Sequence, residues 1–403
     1  MEGVLLNLIR AQVSIEEFDD HNAKFLCGVY RSLIDMGIRS VAPHPNFSKK
    51  LQRKFKAPIH LINGSILRVF IKSLGEGGLK NARKSLFIDV HADPPKVYLG
   101  AEKRLNHWVS PSYKDEMVEE AALLSRLSHP HIMSAPLHAY ERGDKYTVVE
   151  EYMAMDLLKY TDQIKENPSI EPIRKLIILF KQVMVGAHYL NKKGIVHRDL
   201  KLENILVDAS FTSIKIADFD GYYSNPKELM LRLKEKHSQL KASIDTPLDD
   251  PLYLELLSQL PYGVMEPLLS DYESVLPADL SPEHKVKVDR IKAYLEEWHK
   301  FITDQNIPDV GTHPRGDCAG NVPPESLKYS IVTKKTHQFA IGSMIKEAMK
   351  RLRDYLKPSQ ALLIDNLSKD LIEKRVKLSL AMAQMDELIE ALPRSRKRIL
   401  CRK

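Results

Sequence analysis

Cysteine is scarce in this 403-residue chain: Cys27, Cys318 and Cys401 are its three. They are odd in number, far apart and in no C-x-x-C spacing. That argues against a disulfide framework or a thiolate metal site and for free thiols in a reducing compartment. Long apolar runs are missing too. None approaches the ~18 residues of a membrane span, so no transmembrane segment is expected. The first residues lack the basic region and small-residue cleavage site of a secretory leader, and soon meet Glu16, Glu17, Asp19 and Asp20 instead. Tandem repeats and low-complexity tracts are also absent. The expected location is cytoplasmic or otherwise intracellular. Nuclear entry, and delivery into a host cell by a route that reads no leader, stay open.

Hydrophobic residues make up 43% and charged residues 28%, ordinary values for a globular protein with a core of its own. At roughly 100–200 residues per domain, the length suggests two or three folding units. The net charge of +7 favours acidic partners such as nucleic acid, anionic lipid or ATP. Part of that excess sits in the basic tail 393–403, which reads as a contact for acidic partners or as a solvated, frayed terminus.

Residues 1–62 read as a separate helical extension, with Val4, Leu5, Leu8 and Ile9 and then Phe25, Leu26, Val29, Leu33 and Ile34 at helical spacing. From Ser65 the pattern changes to strands near residues 66–71, 86–90, 97–101 and 145–153, with one helix over 111–127 that stops at His129-Pro130. Mostly helices follow. Residues 222–310 are rich in Leu, Lys and Glu, too long for a structureless loop, and read as a helical insert. The order predicts an α+β fold: a small antiparallel-sheet lobe with one helix, then a larger, mainly helical lobe.

The chemistry is concentrated in Ile195-Val196-His197-Arg198-Asp199-Leu200-Lys201-Leu202-Glu203-Asn204, followed fourteen residues later by Asp218-Phe219-Asp220. An Asp for a substrate hydroxyl, an Asn for one metal and an Asp for another are the side chains that phosphoryl transfer needs. The first block matches H-R-D-L-x-x-x-N and the second stands where D-F-G would follow. The chain resembles eukaryotic-type protein kinases, with a Ser/Thr-like catalytic loop, over roughly residues 65–392 with one large interruption.

The resemblance implies a bilobal fold and assigns roles. Gly75, Gly77 and Gly78 would cover the ATP phosphates, with Lys80 where a third Gly is usual. Ala101-Glu102-Lys103 supplies the strand lysine, and Glu120 is its helix partner, with Glu119 one residue away. Ala101, Glu151, Met153, Asp156 and Leu206 would line the nucleotide site. Either Glu150 or Val149 would face the back of the adenine pocket. Asp199 would handle the hydroxyl proton and Lys201 the γ-phosphate, its placement two residues after Asp199 being that of the Ser/Thr-directed branch. Asn204 and Asp218 would hold Mg2+, with Mn2+ as the alternative ion. His197, Arg198 and Phe219 would support the loop. Glu325, in Val322-Pro323-Pro324-Glu325, would pair with Arg375. Asp220 replaces the usual Gly, and His337 replaces the Asp that normally anchors the catalytic loop.

The implied domains are the extension 1–62, an N-lobe at 63–155, a first C-lobe part at 156–221, the insert 222–310, a second C-lobe part at 311–392 and the tail 393–403. The expected activity is ATP- and Mg2+-dependent phosphorylation of Ser/Thr in a protein substrate, with partners docking on residues 1–62 or 222–310. Two alternatives remain at this point: a nucleotide-binding scaffold without phosphotransfer, and a kinase-like enzyme with a non-protein acceptor.

Overall fold

Leu5, Ile9 and Val13 recur every four residues, so a helix through them turns one apolar stripe inward. This is α1 (Glu2–Gln12). Helix α2 (Asp20–Asp35) buries Ala23, Leu26, Cys27, Tyr30 and Leu33 in the same way, and Asp19 caps it by accepting the N–H of Asn22 at 2.7 Å. The computed structural model describes residues 2–35, 59–63, 65–76, 80–106, 109, 113–142, 145–219, 223–224, 335–350 and 352–392, with a few isolated positions besides. Gly77, Gly78, Asp220, Glu325, the tail 393–403 and nearly all of the insert 222–310 lie outside the described residues.

The chain divides into two units, Met1–Ala154 and Met155–Lys403. In the first, a six-stranded antiparallel sheet runs β1 (Ile59–Ile62), β2 (Ile66–Glu76), β3 (Lys80–Asp89), β4 (Lys96–Leu105), β6 (Lys145–Glu151), β5 (His138–Arg142). Helix α3 (Tyr113–Ser125) lies between β4 and β5 in sequence. The expectation of a separate extension over 1–62 needs correction. Ile59–Ile62 is not helical but pairs with β2, Ile62 opposite Ile66. The two helices share one core with the sheet: Leu5, Ile9, Leu26 and Leu33 pack in the same cluster as Leu67, Val69, Leu86 and Ile88. Apolar stripes of this size are not left facing water when a sheet face is available. Glu17, between the helices, adds ion pairs to Lys72 at 2.7 Å and Lys84 at 2.6 Å on the sheet.

Two register shifts in β2, between Phe70 and Lys72 and between Ser73 and Gly75, bend the β2–β3 hairpin. Gly75 at the second has φ 155, a conformation L side chains rarely adopt.

In the second unit β7 (Met155–Asp156) leads into α4 (Leu157–Glu166), capped by the Asp156 carboxylate on the N–H of Lys159. The 24-residue α5 (Ile170–Lys193) is the central helix, burying Leu176, Phe180, Val183, Ala187 and Leu190. It stops at Gly194, whose left-handed φ of 75 turns the chain into β8 (Ile195–Val196). Strands β9 (Ile205–Val207) and β10 (Ile214–Ile216) form a hairpin beside β7, and β11 (Tyr223–Ser224) pairs with β8. Helices α6 (Thr336–Lys350), α7 (Pro358–Ile372) and α8 (Leu378–Ala391) complete it. Gly342 lets α6 and α7 touch: a Cβ there would stand 2.8 Å from Ile372.

Candidate active site

In the first unit strand alternation gathers charge on one sheet face. Ala82 stands opposite Lys103, Lys103 opposite Val148, and Ala101 opposite Glu150. With side chains alternating every second residue, Lys80, Lys103 and Glu150 therefore share a face, and Glu120 reaches it from α3. Lys103 lies 3.8 Å from Glu120, so the expected pair is formed, yet it is the longest of three ion pairs in the group. Lys103 is 3.1 Å from Glu150, and Lys80 is 3.1 Å from Glu120. All four side chains are largely buried. Burial pushes the Glu150 carboxyl above its usual range, against the pull of Lys103 and with the repulsion of Glu120 adding to it.

The same register turns Glu150 and Val149 to opposite faces. Glu150 faces Lys103, whereas Val149 packs with Phe87 and Ile62 in an apolar cluster. Gly100 belongs to that packing, since a Cβ there would stand 2.6 Å from Val149. Of the other expected nucleotide residues, Ala101 and Met153 are half-buried, and Glu151 accepts a bond from Ser134 at 3.0 Å.

In the second unit the loop after β8 is a closed network. The Asn204 amide donates to the Asp199 backbone carbonyl at 2.8 Å and to the Asp199 carboxylate at 3.0 Å. The Lys201 ammonium lies 2.7 Å from the same carboxylate. The β9–β10 hairpin returns the chain so that the Ala217 N–H bonds the Asn204 carbonyl at 2.9 Å, which sets Asp218 beside Asn204. Leu206 lies on this hairpin, opposite Asp156 of β7.

Two residues here hold left-handed backbone, Arg198 at φ 68 and Asp218 at φ 66. Such conformations cost on the order of 1 kcal/mol or more in non-glycine residues and concentrate at functional sites.

The support beneath the loop is buried and polar. His197 donates from Nε2 to the Ala217 carbonyl at 2.9 Å and packs on Phe219, ring centroids 4.5 Å apart. Its backbone N–H is accepted by His337 Nε2 at 2.9 Å. His337 must then carry its proton on Nδ1, which faces Asn191 Oδ1 at 2.9 Å. Burial, with His197 nearby, pushes the His337 pKa down to about 3, against a bond to the Ala187 carbonyl. A neutral histidine thus makes the contact to the loop backbone. Arg375, expected opposite Glu325, lies over the Phe339 ring at 4.4 Å and donates to the Lys335 carbonyl; Glu325 itself is outside the described residues.

Asn204 and Asp218 offer oxygen donors, the type a hard cation such as Mg2+ takes. Among the described residues there is no group of three His, Cys, Asp or Glu that could hold a metal by itself.

Residues 72–227 match the family model described as the protein kinase domain. The chain carries a protein kinase domain. The chain is similar to a rat (Rattus norvegicus) protein named NUAK family SNF1-like kinase 2, with 45% identity over 102 residues, 25% of this chain and 15% of that protein. The mouse (Mus musculus) and human (Homo sapiens) proteins named NUAK family SNF1-like kinase 1 are each 42% identical over 100 residues, 25% of this chain and 14% of theirs. The aligned chain thus spans about one seventh of the length of these relatives. Relatedness to these kinases extends over about a quarter of this chain. Among the described residues no helix is long and apolar enough to cross a membrane.

Sequence reasoning missed the pairing of Lys80 with Glu120, having noted Lys80 as the loss of a glycine. It also missed Asn191, whose position in the last turn of α5 carries no motif.

Proposed function

We propose that this chain is an ATP- and Mg2+-dependent protein kinase that phosphorylates Ser/Thr hydroxyls of a protein substrate. The observation that carries the reading is the Asp199–Lys201–Asn204 network: one carboxylate held by an amide at 3.0 Å and an ammonium at 2.7 Å.

Bound Mg·ATP supplies the transferable phosphoryl group. Asp199, fixed by Asn204, orients the acceptor hydroxyl and receives its proton. Lys201 sits beside it and offsets negative charge that develops on the phosphoryl oxygens. Asn204 and Asp218 present oxygens to the cation. In the first unit Lys103, steadied by Glu120 and Glu150, binds phosphate oxygens. Positioning and charge neutralisation then account for the acceleration, with no covalent work asked of the protein.

The test is transfer of labelled γ-phosphate from Mg·ATP to basic Ser- and Thr-containing peptides, with and without a chelator. Chelator-sensitive label on Ser or Thr supports the reading. Label on tyrosine alone overturns the Ser/Thr assignment. A scaffold reading has one observation in its favour, since Lys103 lies closer to Glu150 than to Glu120. Nucleotide binding with no phosphotransfer would support it.

A further inference from the structure

The four charges on the sheet face of the first unit are one lysine and one carboxylate more than a single lysine–glutamate pair needs. Side-chain exposure is 13% for Lys80, 15% for Lys103, 5% for Glu120 and 2% for Glu150. Taking ions out of water costs several kcal/mol each, and well-packed apolar residues are often as stable in their place. A second buried pair is therefore a poor device for stability alone.

The geometry has a further property. Lys80 and Lys103 approach the two oxygens of one carboxylate, Lys80 at 3.1 Å from Oε2 of Glu120 and Lys103 at 3.8 Å from Oε1. Two ammoniums that converge on the oxygens of one anion can converge on those of another. Strand register makes this convergence firm: Lys80 is two residues from Ala82, the partner of Lys103, on the same face. In sequence Lys80 stands two residues after Gly78.

We propose that Lys80 is a second phosphate-binding lysine, forming with Lys103 a two-ammonium clamp on the polyphosphate chain of a nucleoside triphosphate. Glu120 holds the two ammoniums together before the nucleotide arrives, and Glu150 keeps Lys103 on the shared face. The inference rests on the nucleotide-binding part of the proposed function, not on phosphotransfer.

Calorimetric titration of the full chain with Mg·ATP and, separately, with adenosine tests it. Lys80→Met is expected to weaken Mg·ATP binding about tenfold and leave adenosine binding unchanged, with Lys80→Arg restoring most of the loss. Unchanged Mg·ATP affinity in Lys80→Met overturns the clamp. So does an equal loss of adenosine affinity, which makes Lys80 an anchor for α3. Failure of the unaltered protein to bind Mg·ATP overturns the nucleotide reading itself; normal binding with an indifferent Lys80 overturns the clamp alone.

Discussion

His337 Nε2 accepts the backbone N–H of His197 at 2.9 Å, joining residues 140 apart in sequence. A hydrogen-bond acceptor at this point fixes the start of the 197–204 loop, and a neutral imidazole supplies it. Replacing His337 by Ala leaves a buried N–H and the Asn191 amide oxygen without this partner, besides opening space. The expected cost is about 3 kcal/mol of folding stability, with a fall in phosphotransfer of tenfold or so. Urea unfolding and initial rates check it, and a change under about 0.5 kcal/mol would remove the anchor role.

The same contact sets a pH dependence. The folded pKa of His337 is lowered to about 3 from 6.5, so the unfolded chain binds more protons between those values. Its contribution is fully present above about pH 6.5 and is lost as pH falls towards 3. From pH 7 to 5 the loss is about 2 kcal/mol. Glu150, with its pKa raised, acts in the opposite sense, its stability present at low pH and lost as pH rises through its folded value. It is common to both proteins when wild type is compared with His337→Gln. The wild type should lose more urea resistance than the variant over this range; parallel curves would contradict the assignment.

Glu17 joins the N-terminal helices to the sheet through Lys72 and Lys84, and the Lys84 side chain is only 5% exposed. Glu17→Ala leaves that ammonium without this carboxylate. About 2 kcal/mol of stability should be lost, as measured by urea unfolding, whereas a solvated extension would give almost no change.

Gly342→Ala adds a Cβ 2.8 Å from Ile372, 2.9 Å from Leu371 and 3.0 Å from the Ser368 carbonyl. The contact is between helices and cannot be relieved by one flexible side chain. A loss of 1–3 kcal/mol, roughly, is expected in thermal or urea unfolding. A stabilised variant would mean that α6 and α7 are not so closely packed.

The Asp199–Lys201–Asn204 network was legible in the sequence because it is local. Asp199, Lys201 and Asn204 lie within six consecutive residues, and Asp218 follows one hairpin later. The sheet and the helical region that follows it were legible from periodicity. Contacts set by register between distant segments were not. Lys80 meets Glu120 only once β3 has paired with β4 and α3 has docked. His337 meets His197 only once α6 has packed on α5. The sharing of a core between α1, α2 and the sheet is a property of two apolar surfaces, and a linear pattern shows each without its partner. Ile59–Ile62 was read with the helices before it, since four residues are too few for an alternation to declare itself.

The most direct test of the account is Asp199→Asn. The amide is close in shape to the carboxylate and keeps an acceptor for Asn204, but it cannot take the hydroxyl proton. Transfer of labelled γ-phosphate to a Ser/Thr peptide should fall by about a thousandfold while Mg·ATP affinity stays near that of the wild type. Retained transfer in Asp199→Asn would contradict the role given to Asp199 and with it the proposed reaction.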